Sequence, residues 1–143
     1  MKATGQCQCG AKKFTVETDD YHAYYCHCRM CQRAVGNIFA TFVNLPKNAV
    51  RWSGEEPDIY HSSKIAQRGY CATCGTPLTF AFPDSNRMDI TVGSFDDPSL
   101  FTPQSHFGVE SRIMSWHKPD GLPEERTEDS KAVMERWRRA ETL

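Results

Sequence analysis

Residues 71–75 read CATCG, and residues 7–10 read CQCG. Both stretches place two cysteines in a tight turn and follow them with glycine, the residue that most readily accepts a positive φ angle. Such turns fold the backbone around a metal, and each supplies two thiolates. Strand pairing that brings the two turns together predicts a tetrahedral four-thiolate site, the arrangement typical of structural zinc. The predicted ligands are Cys7, Cys9, Cys71 and Cys74.

Three further cysteines lie within residues 24–34, which read YYCHCRMCQRA. The first residues are typical of a strand end, and the following segment is predicted to enter a helical turn. In that turn Cys28 and Cys31, at positions i and i+3, face the same way. Cys26 then completes a convergent set of three sulfurs. Three protein ligands with an exchangeable fourth position are the layout of a zinc site that does chemistry.

Other interpretations of the cysteines remain open on this reasoning. Isolated cysteines often act as small buried hydrophobes. His27 is a possible metal ligand, although an extended segment would point its side chain away from the neighbouring cysteines. Two members of the triplet also form a C-x-x-C pair that supports thiol exchange, although the flanking sequence lacks the βαβ pattern usual in such redox proteins.

The overall composition narrows the class of protein. The 143 residues include 17 basic and 18 acidic side chains, for a net charge of -1. This balance lacks the basic surplus that binds nucleic acid or anionic membranes, so we expect neither partner. No segment approaches the roughly 20 apolar residues of a membrane span, and the N-terminus lacks a secretory signal. We therefore expect a cytoplasmic protein in which seven cysteines serve metal or thiol chemistry rather than disulfides.

Period-two alternation of polar and apolar residues predicts short β-strands along most of the chain. Glycine, proline, asparagine or aspartate separates them, which indicates a single domain that is mainly β. The predicted strands cover residues 12–18, 37–44, 76–82 and 87–95. One helix is predicted at the C-terminal end, over residues 130–140, with Asp129 or Ser130 as its cap and Glu135 four residues before Arg139.

As a set, these motifs resemble the glutathione-dependent formaldehyde-activating enzyme family, also called the S-(hydroxymethyl)glutathione synthase family. The family pattern runs C-x-C-G, then C-H-C-x-x-C, then R-G-Y-C-x-x-C-G-T-P-L, and all seven cysteines follow that order and spacing. Residues 106–123, HFGVESRIMSWHKPDGLP, are similar to the family's C-terminal pattern. The resemblance covers about residues 4–123, and a relative of this fold occurs in centromere protein V.

The resemblance implies a zinc-stabilised fold of short strands called a β-tent, with two zinc ions. The outer cysteines Cys7, Cys9, Cys71 and Cys74 would hold the structural zinc. The inner cysteines Cys26, Cys28 and Cys31 would hold a looser zinc and form the catalytic site. The implied organisation is a domain over residues 1–125, followed by residues 126–143 as a C-terminal helix packed on it or extending from it.

The resemblance also implies a reaction, the reversible addition of the glutathione thiol to formaldehyde, which gives S-hydroxymethylglutathione. An enzyme of this kind is a carbon-sulfur lyase or synthase. Zinc with three thiolates has a net charge of about -1, so it favours a soft thiolate over the activation of water. Two alternatives are a non-catalytic zinc-stabilised module that binds glutathione or a protein, and related chemistry on another small thiol or aldehyde adduct.

Several residues are candidates for the rest of such a site. The carboxylates of glutathione favour cationic partners, guanidinium groups above all. The candidate cations are Arg29, Arg33, Lys64, Arg68 and Arg112. His106 is predicted either to transfer protons or line the pocket, or to be a hydrogen-bonded strand histidine. Trp116, Tyr24 and Tyr25 are expected in the core or in a pocket wall.

Overall fold

The computed structural model of the protein describes residues 1–142, which form two β-sheets and two α-helices. The strands are β1 (Lys2–Gln6), β2 (Lys12–Glu17), β3 (His22–Cys26), β4 (Ala40–Pro46), β5 (Val50–Gly54), β6 (Asp58–Tyr60), β7 (Gln67–Tyr70), β8 (Pro77–Ala81), β9 (Arg87–Thr91), β10 (Ser105–Phe107) and β11 (Glu124–Glu125). The helices are α1 (Arg29–Val35) and α2 (Lys131–Glu141). The predicted mainly-β class with a C-terminal helix is therefore confirmed.

The strands divide into a small sheet and a large one. The small sheet has the order β1-β2-β5, and the large sheet has the order β11-β10-β3-β4-β9-β8-β7-β6. Strand β10 pairs in parallel with both β3 and β11, whereas the other pairs are antiparallel. Those parallel pairs bring the C-terminal third of the chain alongside the end of β3, where the inner cysteines begin.

All four predicted strands differ somewhat in their bounds, and two of them lose three or more residues at one end for local reasons. Residues 37–39 do not join β4 because Gly36 ends α1 in the left-handed conformation and Asn37 N–H still donates to a carbonyl of that helix. The strand predicted over residues 87–95 ends at Thr91, since Val92–Ser94 turns into a 3-10 helix. The helix turn and the 3-10 turn satisfy backbone groups that a longer strand would have paired.

The main core lies between the two sheets. Strand β2 alternates strictly, so Phe14 and Val16 are buried beneath the small sheet. They pack in one cluster with Val43, Leu45 and Ile90 of the large sheet, all of them fully buried. Alternation places the neighbours of these residues on the opposite face of the large sheet, and that face is where α2 and the cavity described below are found.

Helix α2 begins one residue later than predicted and is capped by Ser130, whose Oγ accepts from Val133 N–H at 3.4 Å. The expected pair of Glu135 with Arg139 is not formed. Glu135 instead pairs with Arg138, because Arg139 reaches Asp84 on the β8–β9 turn. Neither helix in residues 1–142 has the length and apolar character that a membrane crossing requires.

Candidate metal centres and active-site cavity

The outer cysteines form a four-sulfur cluster at the junction of the two sheets. Cys7 and Cys9 lie in the β1–β2 turn, and Cys71 and Cys74 lie in the β7–β8 turn. The sulfurs of Cys7 and Cys9 are 3.6 Å apart, those of Cys9 and Cys71 are 3.7 Å apart, and all four lie within 4.8 Å of one another. The structure thus joins two pieces of the chain that are 62 residues apart in sequence.

The two cysteine turns share one backbone design. Gly10 N–H donates to the carbonyl of Cys7 and Gly75 N–H donates to the carbonyl of Cys71, and both glycines have a φ of 81°. Any other residue would be strained at that angle, which confirms the reason for glycine after each cysteine pair. A nearby hydroxyl group also contacts one of the sulfurs. Thr76 Oγ1 lies 3.2 Å from Cys74 Sγ, and this hydrogen bond is the main reason that the pKa of the Cys74 thiol is lowered to about 5.

The spacing of the sulfurs fits a bound zinc ion. In a tetrahedron with zinc-sulfur distances of about 2.3 Å, the sulfurs stand roughly 3.8 Å apart. The observed separations of 3.6 and 3.7 Å are close to that value. Four thiolates this close repel one another unless a cation neutralises them, so the donor set and its geometry suit a divalent metal. The cluster could therefore hold a metal ion.

The inner cysteines form a separate three-sulfur cluster. Cys26 ends β3, Cys28 is the N-cap of α1, and Cys31 lies within α1. The sulfurs of Cys26 and Cys28 are 3.5 Å apart, and all three lie within 4.8 Å of one another. As the i, i+3 spacing predicts, the helical turn brings Cys28 and Cys31 together, and Cys31 N–H donates to Cys28 Sγ at 3.3 Å. This cluster could also hold a metal ion.

Electrostatics within this triplet favour a cation. The pKa of Cys28 is lowered to about 3 because Cys26 and Cys31 donate hydrogen bonds to its sulfur. The pKa of Cys26 is raised in turn, above all by the hydrogen bond to Cys28. One of the crowded sulfurs therefore ionises easily at the expense of the others. A divalent metal would stabilise all three as thiolates, which is the requirement for a zinc ligand.

The triplet lies in the wall of a cavity of about 600 Å³. Aromatic side chains form much of the rest of that wall, namely Phe42, Phe80, Phe82, Phe107 and Trp137. The guanidinium of Arg68 also lines the cavity, donates to Cys31 Sγ at 3.3 Å and lies over the ring of Phe80 at 4.8 Å. A ligand in this cavity would meet the sulfurs at one side and a cation beside them.

The other predicted cations do not line this cavity. Arg29 bonds Gln32, and Lys64 is exposed to solvent. Arg112 pairs with Glu124 at 2.8 Å, with its side chain only 6% exposed. Arg33 lines a neighbouring pocket of about 530 Å³ that shares Arg68 with this cavity. Among the five candidate cations, Arg68 alone has contacts suited to a ligand of the triplet.

The histidine between the cysteines belongs to a separate buried network. His27 Nε2 lies 2.8 Å from His106 Nδ1, and His106 Nε2 lies 2.9 Å from Asp120 Oδ1. His117 completes a cluster of three imidazoles that could itself hold a metal ion. Burial is the main reason that the pKa of His27 is lowered to about 4. The structure therefore groups His27 with the other histidines and not with the sulfurs. His106 is a hydrogen-bonded strand histidine that also lines the cavity.

Sequence reasoning missed a buried carboxyl on the cavity wall. Asp89 of β9 accepts hydrogen bonds from Tyr24 Oη at 2.6 Å and from Asn44 Nδ2 at 2.9 Å. Alternation along β9 does indicate that Asp89 lies on the face opposite buried Ile90. That this second face of the strand is also covered becomes visible only from the pairing of β9 with β4.

The expectation that Trp116 lies in the core or in a pocket wall was wrong. Its side chain is 74% exposed, because it follows a short turn outside both sheets.

The protein is thus a small, mainly-β, cysteine-rich domain with two clusters that could hold metal ions, one of four thiols between its sheets and one of three thiols in a cavity wall. Comparison with known proteins makes this class specific. The chain belongs to the glutathione-dependent formaldehyde-activating enzyme family, whose sequence model matches residues 2–111. The family resemblance seen in the cysteine motifs is thereby confirmed.

Two individual proteins illustrate the relationship. An uncharacterized lyase of Schizosaccharomyces pombe is 32% identical over 116 residues, which is 81% of this chain and 80% of that protein. A crystal structure of a Rhodobacter sphaeroides protein superposes with a TM-score of 0.57 at 23% identity, covering 70% of this chain and 96% of that one. The second comparison supports the fold, and the first adds a relative named as a lyase.

Proposed function

We propose that the chain is a zinc-dependent carbon-sulfur lyase or synthase that joins a thiol to formaldehyde, with glutathione, the thiol in the family's name, as the first substrate to test. The observation that carries the proposal is the placement of the inner triplet. Its three sulfurs converge in the wall of a cavity, whereas the outer four-sulfur cluster lies at a junction of sheets and has a complete ligand set. Three protein donors leave a position for a substrate sulfur.

Each cysteine cluster has a proposed role. Cys7, Cys9, Cys71 and Cys74 would hold a structural zinc, and Cys26, Cys28 and Cys31 would hold a catalytic zinc. When bound at the triplet, zinc supplies a Lewis acid that favours the thiolate form of the substrate over the thiol. Thiols that serve as metal ligands require a reducing compartment, so we propose a cytoplasmic location.

The proposed reaction balances without any further reagent. The substrate sulfur forms a bond to the formaldehyde carbon, the carbon-oxygen π bond breaks, and the thiol proton ends on the oxygen as a hydroxyl group. Arg68 lies beside Cys31 and lines the cavity, so it is placed to stabilise the negative charge that develops on the aldehyde oxygen. The cavity walls would hold the thiol and the aldehyde side by side, so that a bimolecular reaction becomes effectively unimolecular.

The test compares the rate of exchange between glutathione plus formaldehyde and S-hydroxymethylglutathione, by exchange NMR, for wild type, Cys31→Ser and no protein. The spontaneous rate sets the baseline. Acceleration by wild type, lost in a Cys31→Ser variant that keeps its circular dichroism spectrum and one equivalent of zinc, supports the proposal. A wild-type rate equal to the baseline, with glutathione still bound, would point instead to a non-catalytic binding module.

We further propose that residues 1–125 form the catalytic unit and that residues 126–143 are an addition to it. Helix α2 lies outside the matched residues 2–111 but contributes Val133 and Trp137 to the cavity wall. A chain that ends at residue 125 should keep both metal sites. It should also present a wider cavity, which zinc analysis and substrate binding would test.

A further inference from the structure

We propose that the thiol substrate of this chain carries an uncharged apolar group, such as an aryl or branched alkyl group, rather than the two carboxylates of glutathione. This inference rests on the proposed function and concerns only the part of the substrate that does not react. It follows from three observations about the cavity beside the triplet: its aromatic wall, its charges and the helix that closes one side of it.

The aromatic wall offers an apolar group a place to be buried. Six aromatic rings, Tyr24 among them, come from five elements and their flanks and line the same space, which also touches Ile65, Ala66 and Val133. At about 600 Å³ the cavity falls within the range of about 300–1,000 Å³ that is typical of small-molecule sites. Apolar surface gains from leaving water, whereas a carboxylate placed against such a wall loses its hydration without a partner.

The cavity offers few cations to the carboxylates of glutathione. Among the described residues that line it, Arg68 is the one arginine or lysine, and the acidic side chains are Asp89, Glu124 and Glu125. Arg68 already donates to Cys31 and stacks on Phe80. Glutathione has two carboxylates and one ammonium group, so its second carboxylate would find no cation on this wall, and Glu124 is already paired with Arg112. An uncharged substituent needs no such partner.

Helix α2 completes the apolar wall and is fixed in place by its arginines. Arg136 donates to Asp84 at 2.8 Å and lies over the ring of Phe82 at 4.1 Å, and Arg139 reaches the same carboxylate at 3.2 Å. These contacts present Val133 and Trp137 to the cavity. The helix lies beyond residues 2–111, which the family model matches.

The experiment measures binding and turnover separately, with phenylmethanethiol and glutathione as the two probes. Binding is measured by calorimetry on the zinc-loaded protein, and turnover by exchange NMR with formaldehyde against the uncatalysed rate. The variants are Trp137→Ala and, as a matched control on the exposed face of α2, Met134→Ala. Loss of the indole from an apolar pocket should weaken phenylmethanethiol binding by about tenfold or more and leave glutathione binding nearly unchanged, while Met134→Ala alters neither.

The outcomes separate this inference from the proposed function. Tighter binding of phenylmethanethiol than of glutathione, lost in Trp137→Ala only, together with turnover of phenylmethanethiol, supports the inference. Equal or tighter binding of glutathione overturns the inference, even if the protein accelerates glutathione exchange and so supports the proposed function. Acceleration of neither thiol overturns the proposed function, while the binding comparison still decides the apolar specificity.

Discussion

Replacing Asp89 with asparagine should stabilise the protein, and the gain should grow with pH. Asp89 is only 4% exposed, and burial raises the pKa of its carboxyl to about 6 in spite of the hydrogen bonds from Tyr24 and Asn44. The unfolded chain has an aspartate pKa of about 3.9. The folded state therefore binds this proton more tightly, so the folded state loses stability as pH rises from about 4 through about 6.

The size of the effect follows from those two pKa values. A shift of about two units corresponds to about 3 kcal/mol when the carboxyl is fully ionised. About half of that penalty is present at pH 5, so about 1.4 kcal/mol develops between pH 5 and pH 8. Asparagine keeps the shape of the side chain but loses one acceptor, which costs about 1 kcal/mol at every pH. Asp89→Asn should thus gain about 2 kcal/mol at pH 8 and about 0.6 kcal/mol at pH 5.

Urea unfolding of wild type and Asp89→Asn at several pH values between 5 and 8 would measure this difference. Subtraction at each pH removes the contribution of the cysteine clusters, which both proteins share. Tyr24→Phe is the companion variant: it removes a donor that lowers the carboxyl pKa, so it should cost more stability at pH 8 than at pH 5. The reasoning would be refuted if the difference in unfolding free energy between Asp89→Asn and wild type were the same at every pH, or were larger at pH 5 than at pH 8.

Three further predictions concern the clusters and the core. Cys74→Ser should lower the melting temperature and the zinc content together, because it breaks the outer cluster; an unchanged melting temperature would contradict a structural zinc there. His106→Phe should cost about 1–3 kcal/mol, since it leaves buried His27 Nε2 without its partner, and chemical denaturation would measure that loss. Gly5→Ala should cost at least about 1–3 kcal/mol by the same measurement, because a Cβ would lie 2.2 Å from the ring of Phe14.

The cysteine turns could be predicted from sequence because their chemistry is local. The cysteine spacing places two sulfurs at each turn, and the glycine that follows adopts the positive φ angle that the turn requires. Because a structural metal site needs four donors, the other cysteine turn can be inferred as the partner of Cys7 and Cys9 without knowing the strand order. The same holds for the i, i+3 pair of the triplet. Longer strands such as β2 also carry their own signal, because alternation over six residues is visible by itself.

Features that depend on distant pairing could not be predicted in this way. Strands β6, β10 and β11 have three residues or fewer, too short for a periodic pattern. The bond between His27 and His106 requires β3 and β10 to lie in parallel, which no local motif specifies. Trp137 lies within the predicted C-terminal helix, but its place in the wall of the triplet's cavity depends on contacts of that helix with Asp84, more than 50 residues earlier.

The outer cluster also sets an order of events during synthesis. Cys9 emerges from the ribosome 62 residues ahead of Cys71, a delay of roughly 3–12 s at about 5–20 residues per second. For that interval the N-terminal thiol pair has half of its ligand set and is open to oxidation or to capture of the wrong metal. With the proposed zinc at this cluster, a cell short of zinc should accumulate chains damaged at Cys7 and Cys9 first, and that damage would occur during synthesis and not in the folded protein.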